Sequence, residues 1–283
     1  MTENETVYEL TRIRDTHLEI ERQSIEGPLS RHVLPSIDAF QQVLLDCHGF
    51  AVDCRRRDEH VAIMEAYASV SAVAYCNAES ARIALVRGFY GNAYALARAL
   101  AMANDVVIDL MKTNESAEKW LALRAFKPGK GGNEAKRLRK YFQDGTLRAR
   151  VRDLGEYSPS SDLYGILSDP VHTSPWSTAM YSSELMDEPG GYYLQYIPQY
   201  HPFRALTCGG LIAMTLPHLT GYFLEWCETH YEDDQRFRRL AIRHSDAIAE
   251  YDKGAFIHRK VLEQFDAANQ RLREGEAFEE VFG

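Results

Sequence analysis

Apolar and small residues recur at helical spacing along most of the chain, and most densely between Ser80 and Thr113. One stripe there is Ile83, Val86, Tyr90, Ala93, Ala97, Leu100, Val107 and Met111; a second is Leu85, Phe89, Leu96, Ala103, Val106 and Leu110. A segment apolar on several sides belongs at the centre of a helical bundle. The spacing carries through Gly88 and Gly91, which predicts one continuous helix. The two glycines would then be points of close approach to a neighbour, despite a cost of about 1 kcal/mol each against alanine. The remaining side is polar: Arg87, Tyr94, Arg98, Asp105 and Asp109 follow at steps of seven, four, seven and four and so share a face.

On either side the pattern predicts further helices. One spans about Glu5 to Glu26, with Leu10, Ile13, His17, Ile20 and Ser24 inward, and Gly27-Pro28 ends it. A second runs from about Leu29 to His48, closed by Gly49. A third follows Asp58-Glu59, acids that suit a helix N-terminus, with Val61, Met64, Ala68, Val70, Val73 and Ala74 inside. Ser116 to Phe126 makes a short helix around Trp120, and Pro128-Gly-Lys-Gly-Gly132 a loop. Ser177 to Leu185 and Tyr192 to Ile197 alternate like strands around a turn at Asp187 to Gly191. Phe203 to Tyr231 is a helix kinked at Pro217; Asp233 to Tyr251 and Gly254 to Arg273 are two more.

Composition narrows the class. The 283 residues are 45% hydrophobic and 26% charged, enough for a sizeable core and unlike a disordered chain. Cys47, Cys54, Cys76, Cys208 and Cys227 are odd in number and irregular in spacing. That reads as free thiols in a reducing cytoplasm, not as a disulfide framework or zinc knuckle. Met1 to Glu9 is polar and acidic, unlike a signal peptide, and Leu211 to Leu224 is too short to span a bilayer. The net charge of −9 opposes nonspecific nucleic-acid binding by the whole molecule.

The charge is unevenly placed. Between Arg124 and Arg152 there are ten Lys or Arg but only Glu134 and Asp144 as acids, a local charge of +8 that leaves −17 elsewhere. Lys130, Lys136, Arg137, Arg139 and Lys140 make this segment a candidate surface for RNA or an acidic protein, with Tyr141, Phe142 and Tyr157 as stacking groups. A solvated helix packed against an acidic body explains it equally well. Lys130 lacks the spacing of a phosphate loop.

The polar face of the central stretch reads either as an anion pocket or as an ion-pair network between helices, because buried charges must be met. Asn104 lies on the apolar stripe and is placed to hydrogen-bond across the bundle. In Tyr164-Gly-Ile-Leu-Ser-Asp-Pro-Val-His172, Ser168 and Asp169 suit a cap, and Pro170 holds the chain extended before His172. His172 then serves as a pocket residue, an acid/base or a structural histidine. The other histidines are scattered, so no metal site is expected, and no serine sits in a nucleophile elbow.

Two resemblances follow from these residues. The run Ala84 to Leu100, with its Arg98, and the later Tyr164-x-x-Leu-Ser-x-x-x-His172 resemble a broad bacterial family of helical proteins without an assigned function, over about residues 60–230. The acid that usually follows the helix arginine in that family is Met102 here, with Asp105 the nearest substitute. The resemblance implies a helical fold and no particular activity. Separately, Arg238-Arg239-Leu-Ala-Ile-Arg-His244 resembles the arginine–histidine motif of HEPN-type ribonucleases. It implies a dimeric, metal-independent RNase, in a toxin or phage-defence setting, with Arg238 or Arg239 and His244 catalytic. Against that, Leu240 stands where a polar residue is usual, and His244 shares a stripe with Phe237, Leu240, Ala241, Ile248 and Tyr251.

The expectation is thus a mainly α multi-helix bundle with one small β-hairpin. It reads as a single helical domain over residues 1–283, with a basic insertion at about 124–160 and the hairpin at about 177–197. The leading functional reading is a cytoplasmic binding or regulatory protein, needing no cofactor. It would hold a small anionic ligand with Arg87, Tyr94, Arg98, Asp105, Ser168 and His172. The alternative is the ribonuclease, as a homodimer.

Overall fold

A computed structural model describes residues 3–55, 60–126, 131–156, 158, 160, 200 and 202–273. Among them it is all-α: α1 (Glu3–Glu26), α2 (Pro28–His32), α3 (Leu34–Cys54), α4 (Val61–Val86), α5 (Tyr90–Lys112), α6 (Asn114–Ala125), α7 (Gly132–Tyr141), α8 (Asp144–Asp153), α9 (Pro202–Tyr231) and α10 (Gln235–Arg273). The expected hairpin falls outside the described residues.

The continuous helix expected over Ser80 to Thr113 is instead two helices. α4 stops at Val86, Gly88 takes φ +76°, and α5 starts at Tyr90. The Phe89 amide donates to the Ala84 carbonyl at 2.8 Å and the Gly88 amide to Leu85 at 3.2 Å. This is the paired closure that a left-handed glycine allows at a helix end. Arg87 therefore belongs to the exposed cap of α4 and leaves the polar face of α5.

Other boundaries move for reasons of burial. The helix expected to end at Gly49 runs on to Cys54, because the buried stripe Phe40, Val43, Leu44 and Cys47 continues through Phe50, Ala51 and Cys54. It also starts later: Pro35 has no amide to continue α2, so the chain breaks at Val33. The last two expected helices are one, α10, which passes through a buried Gly254. Val61 and Val73, expected inside, are exposed. α9 continues as one helix past Pro217.

α5 is the organising element. α4 and α9 pack against it, α3 packs against α4, α9 and α10, and α6 and α8 take its remaining sides. Its apolar face contributes Ala93, Ala97, Leu100, Val107 and Leu110, all fully buried, to one core shared with α3, α4, α9 and α10. Asn104 donates to the Thr215 carbonyl of α9 at 2.8 Å, the cross-bundle bond expected of it. Tyr67 of α4 stacks on Phe223 of α9 at 3.7 Å and donates to the Leu219 carbonyl at 3.1 Å. Helices approach closely at Gly209 of α9. A Cβ there would lie 2.7 Å from Val33 Cγ1 and 3.1 Å from Leu85 Cδ2. Among the described residues no helix is long and apolar enough to cross a membrane.

Candidate functional site

Two polar regions compete for a role, and they differ in whether their charges are already met. The first is the α5 face singled out by spacing. Tyr94, Arg98, Asp105 and Asp109 do share that face, and α8 lies along it. Asp109 is fully buried and takes two hydrogen bonds from Arg150 of α8, at 3.0 and 2.8 Å. The guanidinium also stacks over the Tyr141 ring at 3.5 Å. Asp144, in the first turn of α8, pairs with Arg148 at 3.3 Å and with Arg98 at 3.8 Å. Asp105 accepts from Ser158 at 2.9 Å and from Ser160. Burial pushes its carboxyl up to about 6, against the pull of the two hydroxyls. Tyr94 is fully buried, which raises its phenol well above the ordinary value.

The network extends toward α9. Glu156 accepts from Tyr222 at 3.1 Å and pairs with Lys112 at 3.1 Å, and Lys112 reaches Glu225 at 3.0 Å. Burial first, then the Glu156 charge, lifts the Tyr222 phenol to about 12. Each of these carboxylates has its cation or hydroxyl donors. That is the chemistry of cohesion: it holds α8 and the chain that follows it against α5 and α9.

The second region is a groove between α3 and α10, of about 200 Å³, lined by Asp46, Phe50, Asp53, Arg236, Arg239, Leu240 and Arg243. The spacing explains it. On α3 the three lining residues repeat at three or four, and on α10 the arginines do so at three and four. Phe237, Leu240 and Ala247 bury the adjoining stripe of α10, which leaves the arginines on its flank. Asp234 caps α10 by accepting the Arg236 amide at 2.7 Å. It also binds the Arg236 guanidinium at 2.7 Å, and Asp53 lies 3.6 Å from the same group. Arg243 pairs with Asp46. Arg236 sits 5.5 Å from the centre of the Phe50 ring. Arg239 is exposed at the groove with no ion pair or hydrogen bond among the described residues.

The sequence pointed to Arg239 only through its distance from His244. It missed Arg236, Arg243, Asp46 and Asp53 as a group, because their relation lies across two helices whose pairing the chain does not spell out. His244 faces inward, away from a solvent role. Its ring packs edge-on against Phe40 at 5.8 Å, and its Nε2 is buried without a partner. Burial lowers its pKa, with partial compensation from the Pro217 carbonyl. Arg238 pairs with Asp233 at 3.2 Å.

On α7, Lys136, Arg137, Arg139 and Lys140 are exposed as one basic side. Two of the aromatic groups expected to stack on bases are used internally. Tyr141 shares a hydrogen bond with Ser116 at 2.7 Å, and Phe142 packs edge-on against Trp120 at 5.0 Å. Tyr157, Lys130, Ser168 and His172 lie outside the described residues. Among those described, no group of three His, Cys, Asp or Glu is arranged to hold a metal ion. Comparison of the chain with protein families, with curated proteins and with solved structures found no match.

Proposed function

We propose that this protein binds a small anion, and that the groove between α3 and α10 is the site. The observation that carries the reading is Arg239, a guanidinium at a cavity with three arginines and only two carboxylates, both engaged by the other two arginines. Arginine presents planar paired donors that match phosphate and carboxylate oxygens. Phe50 and Leu240 give the groove an apolar wall, which lowers the local dielectric and strengthens such contacts. A volume of about 200 Å³ suits one phosphate-sized group better than a nucleotide. The α5 face supports this reading less well, since its charges are matched within the fold.

The test is calorimetric titration with inorganic phosphate and with citrate, beside Arg239→Gln. One charged hydrogen-bond pair contributes about 1.5–3 kcal/mol, so the variant loses at least tenfold in affinity while its melting temperature without ligand stays within about 1 °C. Binding that survives the substitution, or no heat with either anion at 10-millimolar order, refutes the assignment.

A further inference from the structure

The groove between α3 and α10 is lined by acids as well as arginines, and the acids bear on which anion it takes. The pairs Asp46–Arg243 and Asp53–Arg236 set the two helices antiparallel across it. Arg239 therefore stands between the two pairs, at the level of Phe50. At 1.5 Å per residue, Arg239 lies about 4.5 Å along α10 from Arg236 and about 6 Å from Arg243. A tetrahedral anion on Arg239 thus has a carboxylate toward either end of the groove. The two carboxylates differ in what they have left to accept. Asp46 is 25% exposed and takes a hydrogen bond on each oxygen, from Gln42 at 3.3 Å and from Arg243. Asp53 lies 3.6 Å from Arg236, beyond hydrogen-bonding distance, because Asp234 holds that guanidinium at 2.7 Å. The Asp53 side chain is 64% exposed and accepts no hydrogen bond among the described residues. The groove thus sets an unfilled acceptor beside the unfilled donors of Arg239.

We propose, resting on the reading of this groove as an anion site, that it selects an oxyanion still carrying a proton, namely hydrogen phosphate, and that Asp53 determines the choice. Arg239 donates to two phosphate oxygens, and the P–O–H group donates to Asp53. A carboxylate only accepts, so an anion without a proton meets Asp53 with like charge and no hydrogen bond. Sulfate matches phosphate in size, shape and charge but holds no proton near neutral pH. It is rejected as any site built around a hydroxyl donor rejects the analogue that lacks one. The carboxylate weakens attraction for anions in general and converts part of it into discrimination between them. An acid in a groove for anions is otherwise a pure cost; a protonated ligand makes it a contact. The same logic separates free phosphate from an esterified one. A phosphomonoester loses its last proton near a pKa of about 6, whereas inorganic phosphate keeps one well above neutral pH.

The experiment is calorimetric titration of the full chain, at about pH 8, with inorganic phosphate, sulfate and methyl phosphate, in wild type and in Asp53→Asn. Wild type is expected to bind phosphate about tenfold or more tightly than either other anion, the worth of one charge-assisted hydrogen bond. Asp53→Asn replaces the repelling acceptor by an amide that donates, with the circular dichroism spectrum unchanged. Sulfate and methyl phosphate then tighten, and the preference for phosphate falls to about threefold or less. Equal affinities in wild type, all lost in Arg239→Gln, overturn the selectivity and leave the groove a plain anion site. A preference that Asp53→Asn leaves intact overturns the role of Asp53. Methyl phosphate binding as tightly as inorganic phosphate overturns the proton as the feature that is read. No heat with any of the three anions overturns this proposal and the anion groove together.

Discussion

Removing Arg150 tests whether the α5–α8 seam holds the fold together. Arg150→Met keeps a stem of similar length over Tyr141 but leaves Asp109, whose side chain is 1% exposed, without its cation. An unpaired buried charge costs about 3–5 kcal/mol. The unfolding entropy of a 283-residue chain is about 0.6 kcal/mol per degree, so the melting temperature falls by roughly 5–8 °C. Asp109→Asn in the Arg150→Met background removes the stranded charge and should recover at least half of the loss. Urea denaturation of wild type, both single variants and the double variant closes the cycle and isolates the coupling. A loss below about 1 kcal/mol for Arg150→Met would show that solvent reaches Asp109 and that the seam is not dry. A double variant no more stable than Arg150→Met would place the damage in lost packing over Tyr141 instead.

Asp105 and Gly88 give two further expectations. Because burial lifts the folded carboxyl of Asp105 to about 6, above the ordinary aspartate value of 3.8, the folded state binds the extra proton between those values. The contribution is therefore fully present below about pH 4 and lost as pH rises through 6. Asp105→Asn deletes this dependence, so its stability relative to wild type improves by about 1.4 kcal/mol between pH 5 and pH 8. Parallel denaturant curves at the two pH values check it, and an unchanged difference counts against burial as the cause. Gly88→Ala forces a side chain into φ +76° at the end of α4 and should cost about 1–2 kcal/mol by urea denaturation. A neutral result would mean that the α4–α5 turn relaxes to another closure.

What could be read from the chain and what could not divide along one physical line. Periodicity reports the inward face of a helix, and it placed Leu100, Val107, Leu110 and the cross-bundle bond of Asn104 correctly. It does not report where a helix stops, because the energy that decides is tertiary. Gly49 is passed over since the stripe beyond it, Phe50, Ala51 and Cys54, is buried, while Gly88 ends α4 since the chain must turn back for α5 to pack on α4. Side-chain partners are further from reach still. Arg98 and Asp105 share a face of α5 seven residues apart, which invites pairing, yet Arg98 goes to Asp144 and Asp105 to Ser158 and Ser160. All three partners lie 46 to 55 positions or so downstream, and only the packing of α8 brings them in. The α3–α10 groove makes the same point for function. Arg236, Arg239 and Arg243 look like an ordinary solvated flank until Asp46 and Asp53 arrive from α3, and it is the carboxylates they engage that leave Arg239 as the cation with a role to fill.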